Sequence, residues 1–427
     1  MKHTVSELKL ANGTRGLLIH IPDASVMTFD LNFRAGEYLV EKRIWETPHL
    51  MEHLLLGANE VIPKARTFQA EFEKNGAYSN ASTGSYDITY EAECADFEWD
   101  RILELLLVAI TKPLFLADEF AAEYGNVREE LTARSNNHFR HLSLALREAY
   151  GFKVQTDQQR LKLMKNVTLE DIVEHYKSTH TSRNLRFVIA GNITPERRAT
   201  IKSMLGSIDL PEGERREELP LEEPRKLASA LYLPNDTVDN VYFYLDTFKQ
   251  RRLTDPEADA LSLLNTMLTE TLYSRILGTA RERGLVYSMS SGYAQTRDCS
   301  NWWFGAQVMP QNVQALFDIV IGELKSICKG ELADEDVQAA KQYAIGRYQR
   351  GAQTVGGTAN GYTYRYFFDE VIEDYYQFPK RVKAITKNRI VKVANTMFED
   401  DVWGLGCLSN AGDDFVATLH KQISQLW

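Results

Sequence analysis

A pair of histidines with a nearby glutamate is the feature of this sequence that most directly suggests chemistry. Residues 47–56 read TPHLMEHLLL, which places His49 and His53 four positions apart with Glu52 between them. On a helix, residues four apart project from the same face, so both imidazoles could bind one metal ion. Two neutral imidazoles and an adjacent carboxylate suit a catalytic zinc, because the metal acidifies a water and the carboxylate takes its proton. The spacing is that of the H-x-x-E-H motif.

This motif alone is suggestive rather than decisive. With nine histidines in the chain, it is expected by chance in about one or two of a hundred such sequences, as a helix with two surface histidines. A catalytic zinc also needs a third protein ligand, with the fourth position left to water. The acidic segment EYGNVREEL, residues 123–131, offers candidates, and Glu123 and Glu130 in it share a helix face. On chemistry alone the ligand is either Glu129 or Glu130, and a solvated acidic helix face is the alternative.

The elements that position these residues can be predicted from periodicity. Thr47 is a good N-cap and Pro48 is tolerated at the first helical position, so a helix is predicted to begin there. Residues 28–35 alternate like a half-buried strand. Further elements of the first half are a strand, turn and strand at 76–91, helices at 97–116 and 117–146, and a strand at 185–190.

The second half of the chain repeats this order of elements. It contains a strand at 241–247, a helix at 256–279, a strand after Gly284, helices at 313–328 and 334–348, and a closing strand at 402–407. Between the halves, residues 211–227 are rich in charge and proline, which predicts a linker. Strands grouped with long helices, without a regular βαβ rhythm, favour an α+β fold. We predict two similar αβ domains, 1–210 and 228–427, each a mainly antiparallel sheet with helices packed on one face.

Composition narrows the class of protein. The 427 residues are 44% hydrophobic and 25% charged, which is ordinary for a globular protein of two domains. The net charge of −10, with both signs interspersed, argues against nucleic-acid binding. The absence of a signal peptide or a long apolar run argues against a membrane protein. Four scattered cysteines without a CxxC pair suit a reducing compartment, so we expect a cytoplasmic protein.

Two other motifs are not assigned a function. Residues 351–361 (GAQTVGGTANG) are rich in glycine but lack the lysine of a phosphate-binding loop, so a flexible or small-residue helical segment is predicted. His175 and His180 have no neighbouring carboxylate and are predicted to lie on the surface.

The motifs together resemble a known family. HLMEH is followed by Glu130, 77 positions after His53. This pattern is similar to that of the pitrilysin/insulinase family of zinc peptidases, and within it to the half-length branch that includes mitochondrial processing peptidase and its bacterial relatives. Other segments that carry the resemblance are Arg34-Ala-Gly-Glu37, Gly76-Ala-Tyr-Ser-Asn80-Ala81, Asn184 to Gly191, and Ser274-Arg-Ile-Leu continuing to Arg281-Glu-Arg-Gly284-Leu-Val-Tyr287.

The resemblance implies a metal site with assigned roles. Glu130 would be the third ligand of one Zn²⁺ per chain, and Glu52 the general base. Glu123 would be a carboxylate that supports a ligand in the catalytic centre, and Glu129 a solvated neighbour.

The resemblance also implies residues that bind substrate. Asn80 and Ala81 would lie on an edge strand that receives the peptide as an added strand. Arg281 and Tyr287 would donate hydrogen bonds to the substrate carbonyl or its oxyanion. Arg283 is an alternative to Arg281, because the interval to Tyr287 is one residue shorter than in many relatives. Without the resemblance, Arg281 would suit a surface ion pair and Tyr287 a strand core.

The family's architecture implies peptide hydrolysis in a closed chamber between two clam-shell halves. A half-length chain would supply one half, so a homodimer is expected, with a heterodimer as the alternative, and unfolded peptides as substrates. A non-catalytic peptide-binding partner subunit is the competing function, although intact His49, Glu52, His53 and Glu130 argue against it. A small inverse-motif enzyme that cleaves S-ribosylhomocysteine is excluded by the length of the chain and the lack of a nearby cysteine.

Overall fold

The structure of the chain is a computed structural model, and it describes residues 1–216 and 219–427. Within these ranges the strands are β1 (Thr4–Lys9), β2 (Arg15–His20), β3 (Val26–Phe33), β4 (Tyr78–Thr83), β5 (Ile88–Ala95), β6 (Leu185–Gly191), β7 (Leu231–Pro234), β8 (Val241–Lys249), β9 (Met289–Gln295), β10 (Ser300–Val308) and β11 (Val402–Ser409).

The α-helices of the described ranges include those at the predicted segments and others that the sequence analysis did not predict. Their bounds are α1 (Thr47–Leu55), α2 (Ala65–Glu73), α3 (Trp99–Thr111), α4 (Ala117–Ser135), α5 (His138–Tyr150), α6 (Asp157–Leu163), α7 (Leu169–Thr179), α8 (Pro195–Gly206), α9 (Asp255–Thr269), α10 (Arg275–Glu282), α11 (Val313–Cys328), α12 (Asp334–Gly351), α13 (Val355–Asp369), α14 (Phe378–Ala384), α15 (Lys387–Phe398) and α16 (Asp413–Ile423).

The strands form two sheets of closely related topology. Sheet 1 has the order β1-β2-β6-β3-β5-β4, and sheet 2 has the order β7-β11-β8-β10-β9. Strand pairs are antiparallel except β2 with β6 and β7 with β11. With β1 set aside, the two orders match strand for strand. The predicted α+β class, with two similar and mainly antiparallel αβ domains, is confirmed.

Alternation of side chains explains how sheet 1 makes its core. In β3, Phe29, Leu31 and Phe33 are fully buried on one face, while Asp30 points to the other. Helices α1 and α3 contribute buried residues such as Leu50 to the same core. This helical layer fixes α1 against the sheet and so sets the position of the histidine motif.

Each sheet also carries one helix on its opposite face, which the sequence did not predict. On sheet 1, α13 packs Tyr362 and Tyr366 against strand residues such as Val188. On sheet 2, α5 packs Leu146 and Tyr150 against strand residues that include Phe248. The predicted layer of helices on one face is therefore supplemented by a single helix on the other.

The chain forms two compact units that are not continuous in sequence. Unit 1 comprises residues 1–132, 158–219 and 349–375, and unit 2 comprises 133–157, 220–348 and 376–427. These units differ from the predicted domains, 1–210 and 228–427, in two segments, because α5 packs on sheet 2 and α13 on sheet 1. In the predicted linker, 211–227, residues 211–216 and 219–227 contain no helix or strand. Residues 217 and 218 of this linker lie outside the described residues.

Two predicted helices are each interrupted in the structure. The predicted helix 117–146 is divided into α4 and α5, because the side chain of Asn137 accepts a hydrogen bond from the backbone of Arg140 and caps a new helix. The predicted helix 256–279 is divided into α9 and α10, which begins after Ser274.

The prediction that His175 and His180 lie on the surface is wrong. Both imidazoles are buried in unit 1. His175 Nε2 lies 2.7 Å from the carbonyl oxygen of Ala35, and His180 Nε2 lies 3.0 Å from the hydroxyl of Tyr90. Burial lowers the pKa of both histidines, and that of His175 is about 4, so both are neutral hydrogen-bonding groups of the core.

Among the described residues, no helix combines the length and the apolar character needed to cross a membrane.

Candidate metal centre

The helix that carries the histidine motif begins one residue earlier than its sequence suggests. Glu46 occupies the N-cap of α1, and Thr47 is the first helical residue, not the cap. The Thr47 hydroxyl donates to the carbonyl oxygen of Ile44, at 2.8 Å, and does not accept from a backbone amide as a cap would. Pro48 lies in the first turn, where a missing amide hydrogen costs no helical hydrogen bond. The cap position thus brings a carboxylate to within one turn of His49.

His49 and His53 project from one face of α1 and each is held through its Nδ1 atom. Their ring centroids are 5.1 Å apart. His49 Nδ1 lies 3.1 Å from an oxygen of Glu46, and His53 Nδ1 lies 2.8 Å from an oxygen of Glu123. Because each carboxylate accepts the Nδ1 hydrogen, the Nε2 lone pairs are left to bind a metal.

Glu130 of α4 completes the set of donors. Val127 and Leu131 anchor this helix in the core, both fully buried, and Glu123 and Glu130 lie on the side that faces α1. One oxygen of Glu130 is 3.2 Å from His49 Nε2 and 3.6 Å from His53 Nε2.

This donor geometry fits a zinc ion. Tetrahedral ligands at about 2.0–2.2 Å from zinc lie about 3.3–3.6 Å from one another. The two distances from Glu130 to the imidazoles, 3.2 and 3.6 Å, lie close to that separation. The neighbouring Glu129 is exposed, so Glu130 is the residue that the structure brings to both histidines.

Glu52 lies beside the two histidines and is largely buried. Ligand-type atoms of His49, Glu52 and His53 all lie within 4.8 Å of one another. One oxygen of Glu52 accepts a hydrogen bond of 3.0 Å from the hydroxyl of Thr83 on β4. This bond fixes the carboxylate next to the site where three other donors converge.

The electrostatics of the site favour a cation. Burial alone would lower the pKa of both histidines, because the imidazolium ion loses hydration. Hydrogen bonds with Glu123 and Glu130 outweigh burial and raise the pKa of His53 to about 10, while Glu130 and Glu46 raise the pKa of His49. The same carboxylates would stabilise a bound metal ion, so metal and protons compete at these histidines.

Asn80 and Ala81 lie on β4, which is the last strand of sheet 1. Ala81 pairs with Tyr90 of β5 and is buried, whereas Asn80 is exposed and its amide donates to Glu91 at 3.3 Å. Because Thr83 of the same strand contacts Glu52, the strand and helix α1 are in direct contact.

Arg281 and Tyr287 belong to unit 2 and form a local pair. The Arg281 Nη1 donates to the backbone carbonyl of Tyr287 at 2.6 Å, and the guanidinium lies 4.9 Å from the centre of the tyrosine ring. Tyr287 is 82% exposed, so it is not a strand core residue. The arginine that contacts Tyr287 is Arg281, while Arg283 is an exposed residue at the end of α10.

Sequence comparison assigns the chain to a family. Residues 17–162 match the model of the insulinase family (peptidase family M16), and residues 166–343 match the model of the peptidase M16 inactive domain. Between them the two models span most of the chain. The chain belongs to the M16 peptidase family.

Solved structures share this M16 fold over nearly the whole chain. A protease from Helicobacter pylori aligns with a TM-score of 0.83 at 18% identity, covering 95% of this chain and 100% of its own. The peptidase M16 inactive domain from Pseudomonas fluorescens aligns with a TM-score of 0.82 at 16% identity, covering 96% and 98%. At these identities the likeness shows the fold.

The candidate residues fall into two groups according to which of the two M16 models matches them. The insulinase match contains the histidines, Glu52, Glu123 and Glu130, together with Asn80 and Ala81. The inactive-domain match contains Arg281 and Tyr287.

The sequence analysis did not predict two residues that contact the candidate site, Glu46 and Thr83. Glu46 lies three positions before His49, a spacing that places side chains together on a helix and could have revealed it. Thr83 has no such signal, because its contact with Glu52 depends on the docking of β4 against α1.

Proposed function

We propose that this M16 protein is a zinc-dependent endopeptidase with one Zn²⁺ per chain. The observation that carries the proposal is the convergence of His49 Nε2, His53 Nε2 and a Glu130 oxygen at spacings suited to zinc, next to Glu52. When bound, zinc would lower the pKa of a water and polarise the substrate carbonyl.

Glu52 is the general base in this proposal. Its carboxylate accepts a proton from the attacking water and then delivers it to the nitrogen of the leaving amine. The hydrogen bond from Thr83 keeps the carboxylate oriented while the proton moves. Glu123 supports the site by holding His53 through Nδ1.

The substrate is an extended, unfolded peptide bound along β4. This strand is terminal in sheet 1, so a peptide can add to it through backbone hydrogen bonds. Asn80 and Ala81 lie on the strand that contacts the metal-binding helix, which would bring the peptide to Glu52.

The active assembly is a homodimer in this proposal. A half-length member of the family supplies one half of a closed chamber, so Arg281 and Tyr287 would act on substrate held by a second subunit. Their exposed hydroxyl and guanidinium groups are suited to donate hydrogen bonds to a developing oxyanion. A heterodimer with a different M16 chain is the alternative assembly.

A non-catalytic peptide-binding subunit is the competing function, since the second half matches a model named for an inactive domain. The test is an assay with a fluorescence-quenched peptide on protein stripped by a chelator and then reloaded with zinc. We expect hydrolysis to disappear on chelation and to return with zinc. Peptide binding without cleavage, in protein shown to contain zinc, would favour the competing function.

A further inference from the structure

A buried network of charges lies behind His49, on the side away from the metal donors. Glu46 is fully buried, and Arg160 of α6 and Glu37 of the turn after β3 are nearly so. Arg160 Nε and Nη2 both donate to Glu46, the latter at 3.0 Å, and Nη2 is also 2.8 Å from an oxygen of Glu37. The second oxygen of Glu46 contacts His49 Nδ1 at 3.1 Å.

Such a network needs a functional explanation. The free energy lost when ions are removed from water commonly exceeds the attraction gained in a buried ion pair. An apolar cluster of similar volume would therefore stabilise the fold at least as well. These charges come from three separate segments of unit 1 and converge on one imidazole. The position points to His49, not to general stability, as the reason for the network.

The two histidines are held in different ways. The pair of His53 and Glu123 is partly solvated, with exposed side-chain fractions of 24% and 29%. The pair of His49 and Glu46 is buried, with exposed side-chain fractions of 5% and 0%. The bidentate contact from Arg160 prevents rotation of the Glu46 carboxylate. Water can replace a lost partner of His53 more readily than a lost partner of His49.

We propose that Glu46 and Arg160 are positioning residues that fix the ring orientation and tautomer of His49 as a zinc ligand. Glu46 accepts the Nδ1 hydrogen and so keeps the Nε2 lone pair directed at Glu130. Arg160 acts through Glu46, by holding both of its oxygens. This inference rests on the proposed zinc site.

The test is the zinc dissociation constant, measured by competition with a chelator, for wild type, Glu46→Gln and Glu123→Gln. We expect Glu46→Gln to weaken zinc binding by about 10–100-fold, as for other partners of metal-bound histidines. Glu123→Gln should weaken it less. The absorption spectrum of Co²⁺-loaded Glu46→Gln should also change, because it reports the ligand geometry.

A matched control separates positioning from stability. Glu370 is another carboxylate of unit 1 paired with a buried arginine, Arg186, and it is not part of the metal site. Glu370→Gln should lower stability but leave the zinc constant and the Co²⁺ spectrum unchanged.

Arg160→Lys alone covers the case in which Glu46→Gln fails to fold, and a double-mutant cycle tests whether Arg160 acts through Glu46. Arg160→Lys keeps the charge but loses the bidentate contact with Glu46, and it should weaken zinc binding when Glu46 is present. In the Glu46→Gln background it should have little further effect, because Arg160 acts through Glu46.

Zinc constants of Glu46→Gln and Arg160→Lys equal to that of wild type would overturn the inference while leaving the peptidase proposal intact. Wild-type protein that binds no zinc would instead overturn both.

Discussion

The proposed ligand residues of the site differ in how deeply the protein buries them. His49 is buried and tied to Glu46, whereas His53 and Glu130 are partly exposed, with side-chain fractions of 24% and 33%. A metal site with one buried ligand and two partly exposed ones has one imidazole fixed by packing and two ligands in contact with solvent. Substitution of any one of the three ligands should reduce the affinity for zinc, whereas substitution of a residue next to a ligand should not.

The first prediction separates Glu130 from its neighbour in sequence. Glu130→Gln should weaken zinc binding by about 10-fold or more, because a neutral amide is a poorer zinc ligand than a carboxylate. Glu129→Gln is the control, since this side chain is exposed, and its zinc affinity should equal that of wild type. The measurement is the zinc dissociation constant of both variants at one pH. Weakened zinc binding in Glu129→Gln but not in Glu130→Gln would show that Glu129 is the ligand.

At this scale the sequence predicted much of the site and omitted part of it. Spacing on a helix was enough to propose that His49 and His53 share a metal with Glu52 beside them as the base, and the structure places these three side chains together. Glu46 was not predicted because Thr47 was taken as the N-cap, which left Glu46 outside the predicted helix. Thr83 could not be predicted, because no local pattern in β4 specifies which helix will pack against it.

At the scale of elements, each sheet carries a buried aspartate on the face opposite its main helical layer. Asp30 of β3 lies under α13, where Thr363 contacts it at 3.4 Å. Burial, with repulsion from Glu91, raises the pKa of Asp30 to about 7. Burial likewise raises the pKa of Asp246 on β8 to about 7. Both carboxyl groups bind a proton more tightly in the folded protein than in the unfolded chain, so the stability of each unit depends on pH.

The second prediction follows from the sign of that shift. A carboxyl group with a folded-state pKa near 7 and an unfolded value near 3.9 stabilises the protein fully below pH ~4, and this contribution is lost as pH rises through 7. Asp30→Asn mimics the protonated acid. It should raise the free energy of unfolding at pH 8, by an amount on the order of 2–4 kcal/mol, and have little effect near pH 4.

Urea denaturation at the two pH values measures this difference. Asp209→Asn is the control, because Asp209 is exposed in the same unit, and it should show no such dependence on pH. If Asp30→Asn destabilised the protein equally at both pH values, the ionised carboxylate would be required by the fold and the prediction would be wrong.

Periodicity predicted the strands more reliably than the ends of the helices. The apolar alternation of β3 is visible in sequence because one face is buried. The start of α5 depends on one capping side chain, Asn137, which accepts from the backbone of Arg140. The burial of His175 and His180 depends on partners distant in sequence, Ala35 and Tyr90, which no local pattern specifies.

At the scale of the whole molecule, each of the two compact units is built from three separate stretches of the chain. The helices α5 and α13 have apolar faces that sequence can identify, but periodicity does not say which sheet a face will cover. The domain boundaries predicted at 210 and 228 therefore could not anticipate that residues 133–157 and 349–375 join the other unit.

The third prediction concerns the assembly of the active enzyme. If Arg281 and Tyr287 act on substrate in a second subunit, a mixture of Glu52→Gln and Tyr287→Phe should regain activity on subunit exchange. One site of the mixed dimer would combine an intact Glu52 with an intact partner tyrosine. The measurement is peptide hydrolysis before and after mixing, with exchange shown by differently labelled chains. A mixture that stays as inactive as each mutant, or a fully active monomer, would exclude the arrangement.

The fourth prediction concerns the substrate. An edge-strand site accepts an extended chain, so the enzyme should cleave unfolded peptides and spare stable folded domains. A destabilised variant of one test domain, compared with its stable parent, measures this preference at equal concentration. Equal cleavage of the two, without prior unfolding, would contradict it.

The measurement that tests the central claim most directly compares wild type with Glu52→Gln at equal zinc content. Metal is determined on the same samples that are assayed with a fluorescence-quenched peptide. The account predicts about one zinc per chain in both proteins and a rate of hydrolysis about 10²–10⁴-fold lower in the mutant, because an amide cannot accept the proton of the attacking water. Zinc-free wild-type protein after zinc loading, or equal turnover by the two proteins, would contradict it.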